Sequence, residues 1–147
     1  MLQVKVSALI GRPVQEVWDV FIDLTNSPRW TRSGSELRQR STGPMGVGTT
    51  IESVRPLFGR EVKSQAIVVT RYEPGHLLSY DAAVPLIGNT TGSFRFESVD
   101  GGTRLSRGGE LNPGRAEALL GPILARVLRS GWGTELSNMK RLAEASP

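Results

Sequence analysis

The chain has 147 residues, 38% of them hydrophobic and 22% charged, which fits one globular domain long enough to bury a core. It has no cysteine and one histidine, His76, which excludes disulfides, thiolate chemistry, cysteine metal sites and a histidine pair for acid–base work. The net charge is +4 with an isoelectric point near 10.1, but the 15 arginines are spread among 14 acids, densest at Arg29, Arg32, Arg38 and Arg40; the scatter reads as solvated surface charge, with no specific nucleic-acid partner expected.

Residues 2–10 alternate as a strand, with Leu2, Val4, Val6, Ala8 and Ile10 on one side. The apolar run at this end is too short and too alternating for a secretory signal. No segment reaches the roughly 18 apolar residues that span a bilayer, so a cytoplasmic protein is expected. Pro13 suits a first helical turn, and Val14, Val17, Trp18, Phe21 and Ile22 recur at helical spacing, which predicts an amphipathic helix over 13–23. A short second helix is predicted over 26–30, capped by Asn26 and started by Pro28.

From 35 to 111 the pattern is strand and turn. Strands are predicted near 36–42, 48–55, 61–72, 76–84, 89–99 and 103–111, punctuated by GPMGVG (43–48), LFGR (57–60), EPG (73–75), LIGN (86–89) and DGG (100–102). Connections this short imply antiparallel neighbours. The glycines at 43–48 lie between strands and do not open a helix, so they form a turn and not a phosphate cradle. After NPG at 112–114, one long helix is predicted over 115–144, with Pro122 in its first turns or at a break. Only that helix is long enough to cover the apolar face of the sheet.

Alternation assigns the faces. Val62, Ser64, Ala66, Val68 and Tyr72 are expected inward, as are Leu78, Tyr80, Ala82 and Val84 on the next strand and Phe94 and Phe96 on the one after. Strand 48–55 gives no consistent face. Strand 103–111 sends Thr103, Leu105, Arg107, Gly109 and Leu111 to the buried side, which puts an arginine between two leucines. A buried guanidinium needs a partner. On the last helix Leu124, Leu128, Trp132, Met139 and Leu142 form a stripe that includes Glu135, which has no opposite charge three or four residues away.

The proline-led PVQEVWDVFIDL, then SPRW, GPMGVGT, VVTRYEPGHLLSY, GTRLS and the closing ELSNMKRLAE run in order along nearly the whole chain. This ordered set resembles the helix-grip superfamily of START domains, the birch-pollen allergen family and the bacterial polyketide cyclase/dehydrase proteins. The resemblance implies an α+β fold of order β-α-α-β6-α. Its curved antiparallel seven-stranded sheet wraps around the long C-terminal helix, with an apolar cavity between them. GPILARVLR also looks like small actinobacterial members described as toxins of toxin–antitoxin pairs.

With such a cavity, Arg107 and Glu135 are expected to reach it, paired to each other or through the polar head of a ligand. Tyr72, Tyr80, Phe94, Leu128 and Trp132 are the other expected ligand-binding residues, and small residues at Ala66, Ala82 and Gly92 leave room. Leu57 and Phe58, with Leu86 and Ile87, put apolar side chains on turns, where they can form a portal, touch a membrane or meet a second subunit. Asp81 has the chemistry of a general base but faces outward, and His76 follows the EPG turn. The leading expectation is binding of a small hydrophobic ligand with a polar or anionic head, without a cofactor. The alternatives are a polyketide cyclase or dehydratase, for which Glu135 is the candidate catalytic residue, and a toxin-like or regulatory interaction protein. Oligomeric state is left open.

Overall fold

A computed structural model describes residues 2–84, 88–112 and 117–145. The order is β1 (Leu2–Ile10), α1 (Val14–Ile22), a 3-10 turn (Leu24–Asn26), α2 (Ser27–Trp30), β2 (Glu36–Gln39), β3 (Thr50–Leu57), β4 (Arg60–Glu73), β5 (Leu77–Val84), β6 (Gly88–Val99), β7 (Gly102–Asn112) and α3 (Glu117–Ala145). The seven strands form one antiparallel sheet in the order β1-β7-β6-β5-β4-β3-β2. The first strand closes against the last, and the five strands between are consecutive hairpins. This is the expected helix-grip architecture, with α3 lying against the inner face of the sheet.

The core explains this arrangement. Val17, Trp18 and Phe21 project from one face of α1 at helical spacing and meet Phe94 and Phe96 of β6. Leu136, Met139 and Ala143 extend the same buried cluster along α3. The last turn of α3 is tied to the end of β1. Glu144 Oε2 accepts from the Gly11 N–H at 2.7 Å, and Lys140 Nζ donates to the Leu9 carbonyl at 2.9 Å. Pro122 lies inside α3, five residues past its first described residue, and takes one N–H out of the helical ladder there.

Three expectations require correction. Asn26 does not cap α2 with its side chain; its Nδ2 donates to the Val20 carbonyl at 3.1 Å, while Asp23 caps the 3-10 turn through the Thr25 N–H. The strand expected over 36–42 stops at Gln39, because the following residues enter the GPMGVG turn. Ala66 and Val68 face solvent, and Gln65, Ile67 and Val69 face inward. The pairing of β4 skips Ser64 against β3 and Thr70 against β5, so two bulges reverse the alternation between them and restore it at Tyr72. The Ser64 and Val84 side chains and all of Leu86 and Ile87 lie outside the described residues. Strand β3, which alternation left unassigned, turns Ile51, Ser53 and Arg55 inward. Among the described residues no helix is long and apolar enough to cross a membrane.

Candidate functional site

Alternation along β7 turns Arg107 inward beside Phe94, its pairing partner on β6. One row further along the same strands, Gly92 and Gly109 face each other. These two glycines leave a trough in the sheet floor. A Cβ on Gly92 would lie 2.6 Å from Tyr80 Cζ, and one on Gly109 would lie 2.9 Å from Trp132 Cη2. The trough therefore lets the Tyr80 ring cross the sheet and lets the indole of Trp132 descend from α3. Both then reach Arg107. The guanidinium carbon sits 4.7 Å from the Phe94 ring centroid and 4.5 Å from that of Trp132, sandwiched as a cation between two aromatic faces.

The polar atoms of this cluster are almost all paired. Arg107 Nη2 donates to the Tyr80 hydroxyl at 2.9 Å, and Nη1 donates to Glu135 Oε1. The other Glu135 oxygen accepts the Arg32 backbone N–H at 3.1 Å, which links α3 to the segment after α2. Arg107 Nε is buried without a partner, as is Trp30 Nε1. The Arg107 and Glu135 side chains are only 11% and 16% exposed, so this is a largely desolvated ion pair. Burial alone disfavours the charge on Arg107; the adjoining Tyr80 oxygen and Glu135 carboxylate outweigh it and push the guanidinium above the ordinary arginine value.

The cluster forms one wall of a cavity of about 450 Å³ between the sheet and α3. Phe21, Trp30, Ile51, Ile67, Leu78 and Phe94 supply its apolar surface, while Thr31, Ser33, Ser35, Ser53 and Gln65 add polar groups. Arg32 and Arg55 also line it, and both are exposed. A wider depression of about 790 Å³, around Gln3, Lys5, Ser93, Glu110 and Arg129, is open to solvent and has no aromatic wall.

Residues 1–144 match the family described as polyketide cyclase / dehydrase and lipid transport. The chain belongs to that family. None of the curated proteins is significantly similar to it. Among solved structures it resembles DynU16, a protein of the dynemicin biosynthetic locus, at 22% identity and a TM-score of 0.72, covering 97% of this chain and 47% of that one. The chain thus spans about half the length of DynU16. It also resembles MLL2253 from Mesorhizobium loti, at 16% identity and a TM-score of 0.76, covering 99% and 98% of the two chains. Ara h 8.0201 is similar at 12% identity and a TM-score of 0.74, covering 98% of each. At these identities the likenesses establish the helix-grip fold and leave the ligand open.

Within this polyketide cyclase / dehydrase member, five expected site residues are brought to one cavity wall: Arg107, Glu135, Tyr80, Phe94 and Trp132, with Leu128 beside them. Tyr72 is placed elsewhere. Its ring packs 5.9 Å from Trp18, and it does not line the cavity. Leu57 and Phe58 form the tip of the β3–β4 hairpin, 41% and 96% exposed. Asp81 and His76 are exposed, as their strand and turn positions imply. Among the described residues no group of histidine and carboxylate side chains is arranged to hold a metal.

Sequence reasoning missed Gln65, Ile67, Arg32, Arg55 and Trp30 as cavity residues. The first two were hidden by the bulges of β4. Gly131 did carry a signal for Arg32: a glycine on the inner stripe of a helix leaves a gap, and the Arg32 side chain fills it. A Cβ on Gly131 would lie 2.9 Å from Arg32 Nη1.

Proposed function

We propose that this family member binds a small hydrophobic molecule in the cavity between the sheet and α3. The observation that carries this reading is the cavity itself, of about 450 Å³, walled by aromatic and aliphatic side chains with one polar cluster at Tyr80, Arg107 and Glu135. The apolar body of the ligand leaves water for that wall. A carbonyl or hydroxyl on it can meet the Tyr80 phenol, whose oxygen already accepts from Arg107 and whose own proton remains available to donate. Leu57 and Phe58, just beyond the cavity residue Arg55, form the portal edge.

Binding is favoured over cyclase or dehydratase chemistry because of how Glu135 is used. Each of its oxygens already accepts a hydrogen bond, one from Arg107 and one from the Arg32 N–H. A general base must turn an oxygen toward the proton it removes, and this carboxylate is instead fixed between two partners as the counter-ion of Arg107.

The reading is tested with N-phenyl-1-naphthylamine, a neutral apolar dye that fluoresces on leaving water. The wild-type protein is expected to bind it saturably. Ile67→Trp, which fills the cavity from β4, is expected to abolish that binding while keeping a cooperative thermal transition. A wild-type protein that leaves the dye dark would overturn the reading.

A further inference from the structure

The charged groups that line the cavity differ in burial and pairing. Arg107 is largely buried and matched by Glu135, so that cluster is neutral as a whole. A ligand anion placed there would lose its hydration and face a carboxylate, with no spare cation to offset either cost. The two exposed arginines of the lining are different. Arg55 is an inward residue near the end of β3, and Arg32 follows α2, its guanidinium resting in the gap over Gly131. On the opposite face of β2 and β3 the arginines are paired: Arg38 with Glu36 and Glu61, and Arg40 with Glu52. Arg32 and Arg55 line the cavity and make no ion pair among the described residues. The side chains of Ser33 and Ser35 line the same cavity beside Arg32.

We infer that the ligand is an amphiphile with an anionic head, a carboxylate or a phosphate, held at the cavity mouth by Arg32 and Arg55, with its apolar body directed inward toward Tyr80 and Phe94. This orientation rests on the cavity-binding reading and adds the ligand class and its direction. Exposed guanidiniums remain hydrated in the empty protein, so recruiting them costs little desolvation, and each offers a planar fork of N–H donors that matches an oxyanion. The polar group expected at the buried Arg107 thus moves to the mouth when it is charged, and a neutral oxygen is what the inner cluster accepts.

The test displaces N-phenyl-1-naphthylamine from the wild-type protein with decanoate, decyl phosphate and decanol at low ionic strength. Decanoate or decyl phosphate is expected to bind about tenfold tighter than decanol, and the stronger of the two acids identifies the head group. In the double variant Arg32→Gln/Arg55→Gln the ratio of acid to alcohol should fall to about twofold or less. The ratio is the readout, so any general change in cavity affinity cancels. Equal displacement by acid and alcohol in the wild type overturns the anionic head while the cavity reading stands, and so does a preference that survives in the double variant. A dye that never binds the wild type overturns both.

Discussion

The hydroxyl of Tyr80 reaches Arg107 only because position 92, beneath its ring, is a glycine: a Cβ there would lie 2.5 Å from the Tyr80 oxygen and 3.0 Å from Cε1. Gly92→Ala must therefore tilt the phenol and break its bond to Arg107 Nη2. The expected cost is about 1–3 kcal/mol in urea denaturation, the range for overpacking a tight site. Much of the clash is with the hydroxyl oxygen, so the same substitution in a Tyr80→Phe background should cost less. Equal costs in both backgrounds would show that the hydroxyl is not held against Gly92.

Removing the charge of Glu135 leaves Arg107 buried between Phe94 and Trp132 without a counter-ion. Glu135→Gln is expected to destabilise the fold by about 3 kcal/mol, at the low end for a broken buried pair because an amide oxygen still accepts. Arg107→Met/Glu135→Leu should recover most of that loss, since a well-packed apolar pair often replaces a buried ion pair at little cost. The comparison is made by denaturation of the two variants against the wild type. A double variant as unstable as Glu135→Gln would show that the pair stabilises the fold beyond compensating for its own burial.

Much of this cluster was legible in the sequence, for a physical reason. Strands β5, β6 and β7 pair without a slip along the inward rows, so period-two alternation carried Tyr80, Phe94 and Arg107 to one face, and helical spacing carried Trp132 and Glu135 to meet them. Strand β4 broke that logic at Ser64 and Thr70. A bulge adds one residue without changing composition, so nothing in QAIVV marks Gln65 and Ile67 as inward and Ala66 and Val68 as outward. Tyr72, past the second bulge, returned to the inner face but met Trp18 and not the cavity, a distinction that depends on where α1 docks. The rim arginines were illegible for a related reason. Whether Arg32 or Arg55 finds an acid is decided by the β2–β3 register and by the docking of α2 on α3, not by neighbours in sequence.

Acid should loosen the last turn of α3, where a carboxylate ties the helix to Gly11 at the end of β1. Glu144 is held below the ordinary carboxylate value, first by its bond from Lys140 and then by the Gly11 N–H. A carboxyl lowered in the folded state contributes stability that is present above its unfolded value, near 4.5, and lost as the pH falls through the folded value. Wild type should therefore lose stability between neutral pH and pH 3 more steeply than Glu144→Gln, with the two curves converging at the acid end. Urea midpoints across that range decide it. Parallel curves would mean that the tie from α3 to Gly11 does not depend on the charge.

Two hairpins of the sheet turn with the same backbone and different chemistry. Asp100 and Gly101 join β6 to β7 at φ values of 48° and 81°, and Phe58 and Gly59 join β3 to β4 at 50° and 76°. Both central residues have positive φ, as in a type I′ turn, where Asn, Asp and Gly are favoured and a bulky side chain is penalised. Phe58 accepts that penalty with its ring 96% exposed, so no packing offsets it within this chain. Phe58→Asn should stabilise the protein by about 1 kcal/mol, the local cost of holding an ordinary L-residue in the left-handed region. Phe58→Leu, equally unsuited to the turn, should give no gain. The two variants are compared by urea denaturation; loss of stability in Phe58→Asn would mean that the ring is packed in solution and that the tip is not free to form the portal edge.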